Sequence, residues 1–184
     1  MNKSIQKHVG FGLSSISSMR DIFAVMDLLN EAYENQIFHY DTAPLYGQGY
    51  SEILLGKFIR GKRDKVTITT KFGLGSALIP SLPAWLALPL NYYKKKVVKK
   101  SISVNKDNLV SNKYQHQLID KKEIEAHFIS SLKRIKTDYF DYYLLHEITP
   151  NHLTDEAILY LNDLKKKGFR SEEHTSELQS RQYL

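Results

Sequence analysis

Short apolar segments alternate with longer stretches of helical periodicity along most of the chain. Four segments rich in aliphatic, aromatic and β-branched residues have the length of strands, and they cover about 8–13, 36–41, 65–71 and 139–146. Each is followed, directly or after a longer connection, by a segment whose apolar residues recur at helical spacing. Because parallel strands are joined by crossovers that usually contain a helix, this repeat predicts a parallel β-sheet with helices packed against it.

The predicted helices cover about 22–32, 51–59, 121–136 and 154–168. In the first of them the apolar side chains fall on one face: Ile22, Val25, Met26, Leu29 and Ala32. Ser51 and Thr154 are residue types that cap helix N-termini, and Gly168 after a run of lysines is typical of a helix C-terminus. The chain is therefore predicted to contain four βα units.

Two architectures fit this repeat, a doubly wound open sheet and a (β/α)8 barrel. Four units do not complete a barrel, which takes about 250 residues, and periodicity alone leaves the choice open. In both architectures ligands bind at the carboxyl ends of the strands. Polar residues at those ends are the candidates for a functional site.

Four such residues stand at the predicted carboxyl end of the sheet. Asp41 ends the second strand, Lys71 the third and His146 the fourth, and Tyr46 lies in the Gly-rich loop after Asp41. The ammonium of Lys71 would favour the phenolate form of a nearby Tyr46, so that this phenol could give and take a proton. Asp41 would keep the buried ammonium paired, and His146 could orient a carbonyl oxygen by a hydrogen bond.

Motifs of several other chemistries are missing from the sequence. It has no cysteine, no GxSxG segment and no HExxH segment, so it offers no thiolate nucleophile, no cysteine ligands for zinc and no HExxH zinc site. A carbonyl held by an acid and an orienting donor still needs a group that adds to its carbon. A hydride from a bound nicotinamide is the natural candidate.

The distribution of charge bears on possible partners. The 184 residues carry a formal net charge of +6, and residues 74–121 hold eight lysines against two acidic residues. This basic excess sits in one irregular stretch instead of following a helix or sheet face, so we expect no nucleic-acid binding. The first 18 residues lack the apolar run and cleavage site of a secretory signal, so we expect a cytoplasmic protein.

Four segments of the sequence resemble the aldo-keto reductase superfamily: GFGLSSI (10–16), YDTAPLYGQGYSEILLGKFI (40–59), TITTKFG (67–73) and DYYLLHE (141–147). The resemblance extends over about residues 7–169 and is most specific in the second segment. It implies a (β/α)8 barrel that binds NAD or NADP without a Rossmann domain. It also implies a catalytic tetrad of Asp41, Tyr46, Lys71 and His146, with Asp41 close to the cofactor as well.

The resemblance further implies an oxidoreductase that interconverts a carbonyl compound and its alcohol. The resemblance then makes Tyr46 the general acid in reduction and the base in oxidation. Lys71, together with Asp41, would adjust the acidity of the Tyr46 phenol. The substrate would be a small aldehyde, ketone or aldose. Two alternatives stay open, an aldose 1-dehydrogenase that oxidises its substrate with NAD and a nucleotide-binding regulatory subunit without turnover.

A long connection, residues 74–120, separates the third strand from the third predicted helix and is interpreted as an insertion. Its apolar part contains Pro80, Pro83 and Pro89 and is too short to span a bilayer. Three interpretations remain: a partly ordered solvated insertion, a lid over the substrate with Trp85 in it, or a contact with a membrane surface through Trp85 and the following lysines.

The last 15 residues do not resemble the superfamily. The segment RSEEHTSELQS (170–180) resembles the translation of a short-read sequencing adapter, so we interpret residues 170–184 as a non-native tail. Residues 1–169 are then expected to form the N-terminal part of a barrel, truncated to about four βα units. Such a fragment is expected to be inactive by itself, and its oligomeric state is left open.

Overall fold

The computed structural model describes residues 9–16, 19, 21–74, 80–101 and 118–168. Within them, a parallel sheet is formed by β1 (Gly10–Gly12), β2 (His39–Asp41), β3 (Thr67–Phe72) and β4 (Tyr142–Leu145). The strands lie in the order of the sequence, each beside its predecessor. This is the order of a (β/α)8 barrel, because a doubly wound sheet reverses direction after its first strands. The predicted parallel sheet is confirmed, and the strand order favours the barrel.

Five α-helices are described: α1 (Ile22–Glu34), α2 (Tyr50–Phe58), α3 (Ala84–Ser101), α4 (Lys121–Ile135) and α5 (Asp155–Lys166). Short 3-10 turns cover Tyr46–Gly49, Arg63–Lys65 and Pro150–His152. Four of the α-helices coincide closely with the predicted ones. The helix α5 opens at Thr154 as predicted, and the side chain of Thr154 caps it by accepting a hydrogen bond from the Ala157 amide. Gly168 follows that helix in a left-handed conformation with φ 75°.

The predicted capping role of Ser51 is wrong. The helix α2 begins one residue earlier, after Gly49 in a left-handed conformation with φ 89°. The hydroxyl of Ser51 instead donates a hydrogen bond to the carbonyl of Leu13 at 3.1 Å, which ties the helix to the residue after β1. The side chain that was predicted to cap the helix therefore makes a tertiary hydrogen bond instead.

Strand alternation divides the sheet into two faces. The side chains of Tyr40, Ile68 and Tyr143 are almost completely buried in the hydrophobic core that the sheet shares with the helices. Asp41 pairs in register with Thr69, and Lys71 lies two residues further along β3 on the same face. The helices thus cover one face, and the candidate functional residues occupy the other.

The helices α2 and α4 approach each other backbone to backbone at Gly56. A Cβ atom at this position would clash with the carbonyl oxygen of Ile135, so no side chain fits there without a shift. This contact fixes α2, and with it the turn that precedes α2, relative to α4.

The predicted insertion is partly helical, since α3 lies within it. Ala84, Ala87 and Leu88 of α3 pack into the core, whereas Trp85 is 65% exposed. Among the described residues no helix combines the length and apolar character that crossing a bilayer requires. Residues 75–79 and 102–117 of the insertion, and the tail 170–184, lie outside the described residues.

Candidate active site

Lys71 is the centre of the candidate site. Its side chain is only 1% exposed, and its Nζ donates hydrogen bonds to Asp41 Oδ1 at 2.6 Å, to the hydroxyl of Tyr46 at 3.2 Å and to the carbonyl oxygen of Thr42 at 3.1 Å. The three protons of the ammonium thus have three acceptors. A buried charge of this kind is tolerated because one of its partners is a carboxylate.

Two backbone features bring Asp41 and Tyr46 to this amine. Asp41 is the last residue of β2, beside β3, and its side chain remains 23% exposed. Tyr46 follows after a turn in which its amide donates to the carbonyl of Ala43 at 3.0 Å. Its ring lies close enough to the ammonium for a cation–π contact, with Lys71 Nζ 4.8 Å from the ring centroid.

His146 follows the last residue of β4 and completes the group. Its amide donates to the carbonyl of Phe72 at 2.9 Å, and its ring meets the ring of Tyr46 edge to face, with centroids 5.6 Å apart. Burial, assisted by the charge of Lys71, lowers the pKa of His146 to about 4. At neutral pH the imidazole is therefore uncharged, with one nitrogen able to donate and one able to accept.

Two buried polar atoms at the ends of β2 and β4 are without a hydrogen-bond partner among the described residues, the hydroxyl of Thr42 and Nδ1 of His146. Orphaned buried polar atoms are rare in folded proteins and often mark a site that a ligand or water satisfies. Thr42 was not predicted as a site residue, although its position directly after Asp41 was a signal.

The lowered pKa values of His127 and His146 predict that stability depends on pH. Burial, together with the charge of Arg134, lowers the pKa of His127 to about 4 as well. Since both values lie below the unfolded value of about 6.5, the native state gains stability that is complete above pH 6.5 and is lost as the pH falls toward 4.

We expect the free energy of unfolding to fall by about 2 kcal/mol per histidine between pH 7 and pH 5. Urea unfolding at the two pH values measures this difference, and a His127→Gln variant should show about half the dependence. An equal free energy at both pH values would contradict the buried, neutral state of the two imidazoles.

A second buried cluster was not recognised from the sequence. Glu52 and Arg134 form an ion pair whose side chains are both fully buried, and the hydroxyl of Thr70 donates to the other oxygen of Glu52 at 2.7 Å. Arg134 lies within the helix predicted at 121–136, directly before the apolar residue Ile135, and this apolar neighbour was the available signal of its burial.

The four predicted site residues, Asp41, Tyr46, Lys71 and His146, thus lie together at the carboxyl end of the sheet. They come from three strand ends and one loop, and the positions agree with the geometry in which such folds bind ligands. The arrangement provides a phenol beside a fixed ammonium and a neutral imidazole next to that phenol. Proton transfer to an oxygen held between the phenol and the imidazole is the chemistry that it can support.

Comparison with known proteins gives one consistent family. The model described as Aldo/keto reductase family matches residues 8–170. The chain is 29% identical over 160 residues to YqkF, an uncharacterized oxidoreductase of Bacillus subtilis, covering 87% of this chain and 41% of that protein. It is 27% identical over 147 residues to the NADH-specific methylglyoxal reductase of Escherichia coli, covering 78% of this chain and 38% of that protein.

Among solved structures, the fold is similar to the holo form of an aldo-keto reductase from Bacillus halodurans. The TM-score is 0.61 and the identity 25%, over 91% of this chain and 45% of that chain. The chain spans less than half the length of each of these three relatives. Since the family model covers most of its residues, the chain belongs to the Aldo/keto reductase family.

Proposed function

We propose that the whole protein is an NAD(P)-dependent oxidoreductase that interconverts a small carbonyl compound and its alcohol. The observation that carries this proposal is the buried Lys71 ammonium, whose Nζ binds both Asp41 and the hydroxyl of Tyr46. A phenol is a weak acid in water, and a fixed positive charge at 3.2 Å stabilises the anion that it leaves after giving up its proton.

The residues at the strand ends fit a nicotinamide cofactor. Its carboxamide and ribose hydroxyls are hydrogen-bonding groups. The partly exposed carboxylate of Asp41 and the hydroxyl of Thr42, which has no partner among the described residues, would bind such groups at the end of β2. When bound, the reduced nicotinamide supplies the hydride that adds to the carbonyl carbon. The residues that would hold its adenosine and phosphates are not assigned in this chain.

The residues of this chain supply the proton side of the reaction. Tyr46 donates its phenolic proton to the carbonyl oxygen as the oxygen gains electron density, and the Lys71 ammonium stabilises the resulting phenolate. Asp41 holds that ammonium in place and keeps it paired. His146 is uncharged and donates a hydrogen bond that orients the carbonyl without taking over the proton transfer. In the oxidative direction, the phenolate accepts the proton of the alcohol.

We propose small aldehydes, ketones and aldoses as the substrate class. The Escherichia coli relative is a methylglyoxal reductase, which supports a small carbonyl compound as the substrate. The same relative is specific for NADH, which makes NADH a cofactor to test beside NADPH. We further propose that residues 1–169 form the first four βα units of the barrel of a cytoplasmic enzyme, and that 74–120 is an insertion into it. The activity therefore belongs to the whole protein, and the isolated chain is expected to lack it.

The experiment is an assay of the full-length gene product with NADPH and NADH against aldehydes, ketones and aldoses, followed by the oxidation of the corresponding alcohols. Consumption of reduced cofactor that depends on a carbonyl supports the proposal. A faster reaction with an aldose and NAD would assign the oxidative direction. Cofactor binding without turnover across the whole panel would overturn the enzymatic proposal in favour of a nucleotide-binding regulatory subunit.

A further inference from the structure

The turn that carries Tyr46 has an unusual backbone. Tyr46 is followed by three residues with positive φ, Gly47 at 60°, Gln48 at 56° and Gly49 at 89°. Left-handed backbone is strained for a residue with a side chain such as Gln48, and no side-chain hydrogen bond caps this turn. Because strain of this kind persists only where the surroundings enforce it, contacts behind the turn must hold it in place.

Such contacts come from a buried network on the helix side of the sheet. Arg134 of α4 forms an ion pair with Glu52 of α2 through its Nε, and its Nη2 donates to the hydroxyl of Ser131 at 3.0 Å. The other oxygen of Glu52 accepts the hydrogen bond from Thr70 of β3. A fully buried ion pair usually contributes little net stability compared with apolar residues of the same size, so stability alone does not explain its presence.

Arg134 also touches the turn directly. A Cβ atom at Gly49 would lie 2.8 Å from Cδ of Arg134, so the stem of the arginine packs against the last residue of the turn. At the same time Glu52 is bound to Thr70, the residue directly before Lys71 in β3. The network therefore contacts the turn that presents Tyr46 on one side and the strand that presents Lys71 on the other.

We propose that Arg134 is a positioning residue, which together with Glu52 holds the left-handed turn against β3 and keeps the Tyr46 hydroxyl within hydrogen-bond distance of Lys71. It acts through the turn, without touching the reacting atoms. The catalytic meaning of this positioning rests on the proposed function. The positioning itself is a property of the described chain and is measured without turnover. An experiment can therefore contradict the positioning without contradicting the proposed function, and the reverse.

His146 provides a readout for the position of Tyr46. The ring of Tyr46 packs edge to face against His146 and helps to exclude water from it. Lys71, which also binds Asp41 and the Thr42 carbonyl, is the charged group that acts on the imidazole. If the turn is released, the ring of Tyr46 moves away and water reaches the imidazole. The pKa of His146 then rises from about 4 toward 6.5.

The experiment is an NMR pH titration of the histidines in this chain, with His146 assigned by its loss in a His146→Gln variant. In Arg134→Met we expect the pKa of His146 to rise by about one unit or more. A Tyr46→Ala variant removes the ring altogether. It therefore gives the largest rise in the pKa of His146 that displacement of the ring can produce. A pKa of His146 that stays within about 0.3 unit of the parent value in Arg134→Met would overturn the proposal.

A matched control separates positioning from general loosening. Arg63 also forms an ion pair, a partly buried one with Asp141, and donates to Thr137 and to the carbonyls of Val66 and Tyr139, but it does so at the opposite end of β3 and β4. Arg63→Met therefore removes a comparable set of bonds far from the turn. It should leave the pKa of His146 at its parent value, and an equal rise in both variants would show that Arg134 is merely structural.

The single variant leaves the carboxylate of Glu52 buried without its partner and could fail to fold. The double variant Glu52→Gln/Arg134→Met removes both charges and avoids this penalty, while it still releases the turn from the ion pair. The proposal requires a raised pKa of His146 in this variant as well. A parent-like pKa in a folded double variant would contradict it, and an Arg134→Lys variant should fall between the parent and Arg134→Met.

Discussion

Replacing Tyr46 by Phe is expected to lower kcat for carbonyl reduction by the whole protein about a thousandfold. The substitution removes one oxygen, and with it the proton that the phenol would donate to the carbonyl, while the ring that packs against His146 remains. Binding of the cofactor should therefore be unchanged. Steady-state kinetics with the best carbonyl substrate, together with a cofactor-binding titration, measure the two effects separately.

Tyr50→Phe is the matched control for this prediction. Tyr50 lies four residues further along, and its hydroxyl donates to the carbonyl of Leu82 at 2.9 Å, away from Lys71. The same chemical change at this position should alter kcat by less than about fivefold. If Tyr46→Phe retained kcat within about tenfold of the parent enzyme, Tyr46 would not be the general acid.

Replacing Lys71 by Met is the second large change, with an expected loss of about a thousandfold in kcat. The phenolate that forms during reduction would then lie in a buried site without the positive charge that stabilises it. The stability of the fold should change little in comparison. Methionine is close in size to the stem of lysine, and the side chain of Asp41 is 23% exposed, so its carboxylate can turn to water.

Lys57→Met provides a surface control, since Lys57 lies on the exposed side of α2. It should leave both kcat and the free energy of unfolding within experimental error of the parent values. Urea unfolding of the Lys71→Met variant checks that lost activity does not reflect lost structure. A Lys71→Met enzyme that kept at least a tenth of the parent kcat would remove the ammonium from the proposed mechanism.

The strands and most helices could be predicted because their pattern is local. The segment 36–41 contains β2 (His39–Asp41), and the segment 65–71 overlaps β3 (Thr67–Phe72) in all but one residue. The stripe of apolar residues at 22–32 lies entirely within α1 (Ile22–Glu34), which extends two residues further. Alternation and helical spacing are read directly from neighbouring residues, so these elements needed no tertiary information.

The helix α3 was not predicted, and the reason is also local. Its sequence contains Pro89, and Pro80 and Pro83 precede it. Prolines usually interrupt helices, and the apolar residues of α3 are also not confined to one face. Contacts of Ala84 and Leu88 with the core stabilise a helix that the local pattern does not favour. Packing against the rest of the fold thus outweighs the cost of one proline inside the helix.

The residues available for chemistry, and the end of the sheet at which they lie, were predictable from local sequence patterns. Asp41, Lys71 and His146 follow strands whose direction is fixed by the βα repeat, so their common edge was predictable. Three features result from tertiary contacts: the left-handed turn at Gln48, the hydrogen bond that Ser51 makes instead of a cap, and the burial of Arg134 against Glu52. These features depend on partners 38 and 82 residues away in the chain, for Ser51 and Arg134 respectively, and no local pattern encodes contacts at such separations.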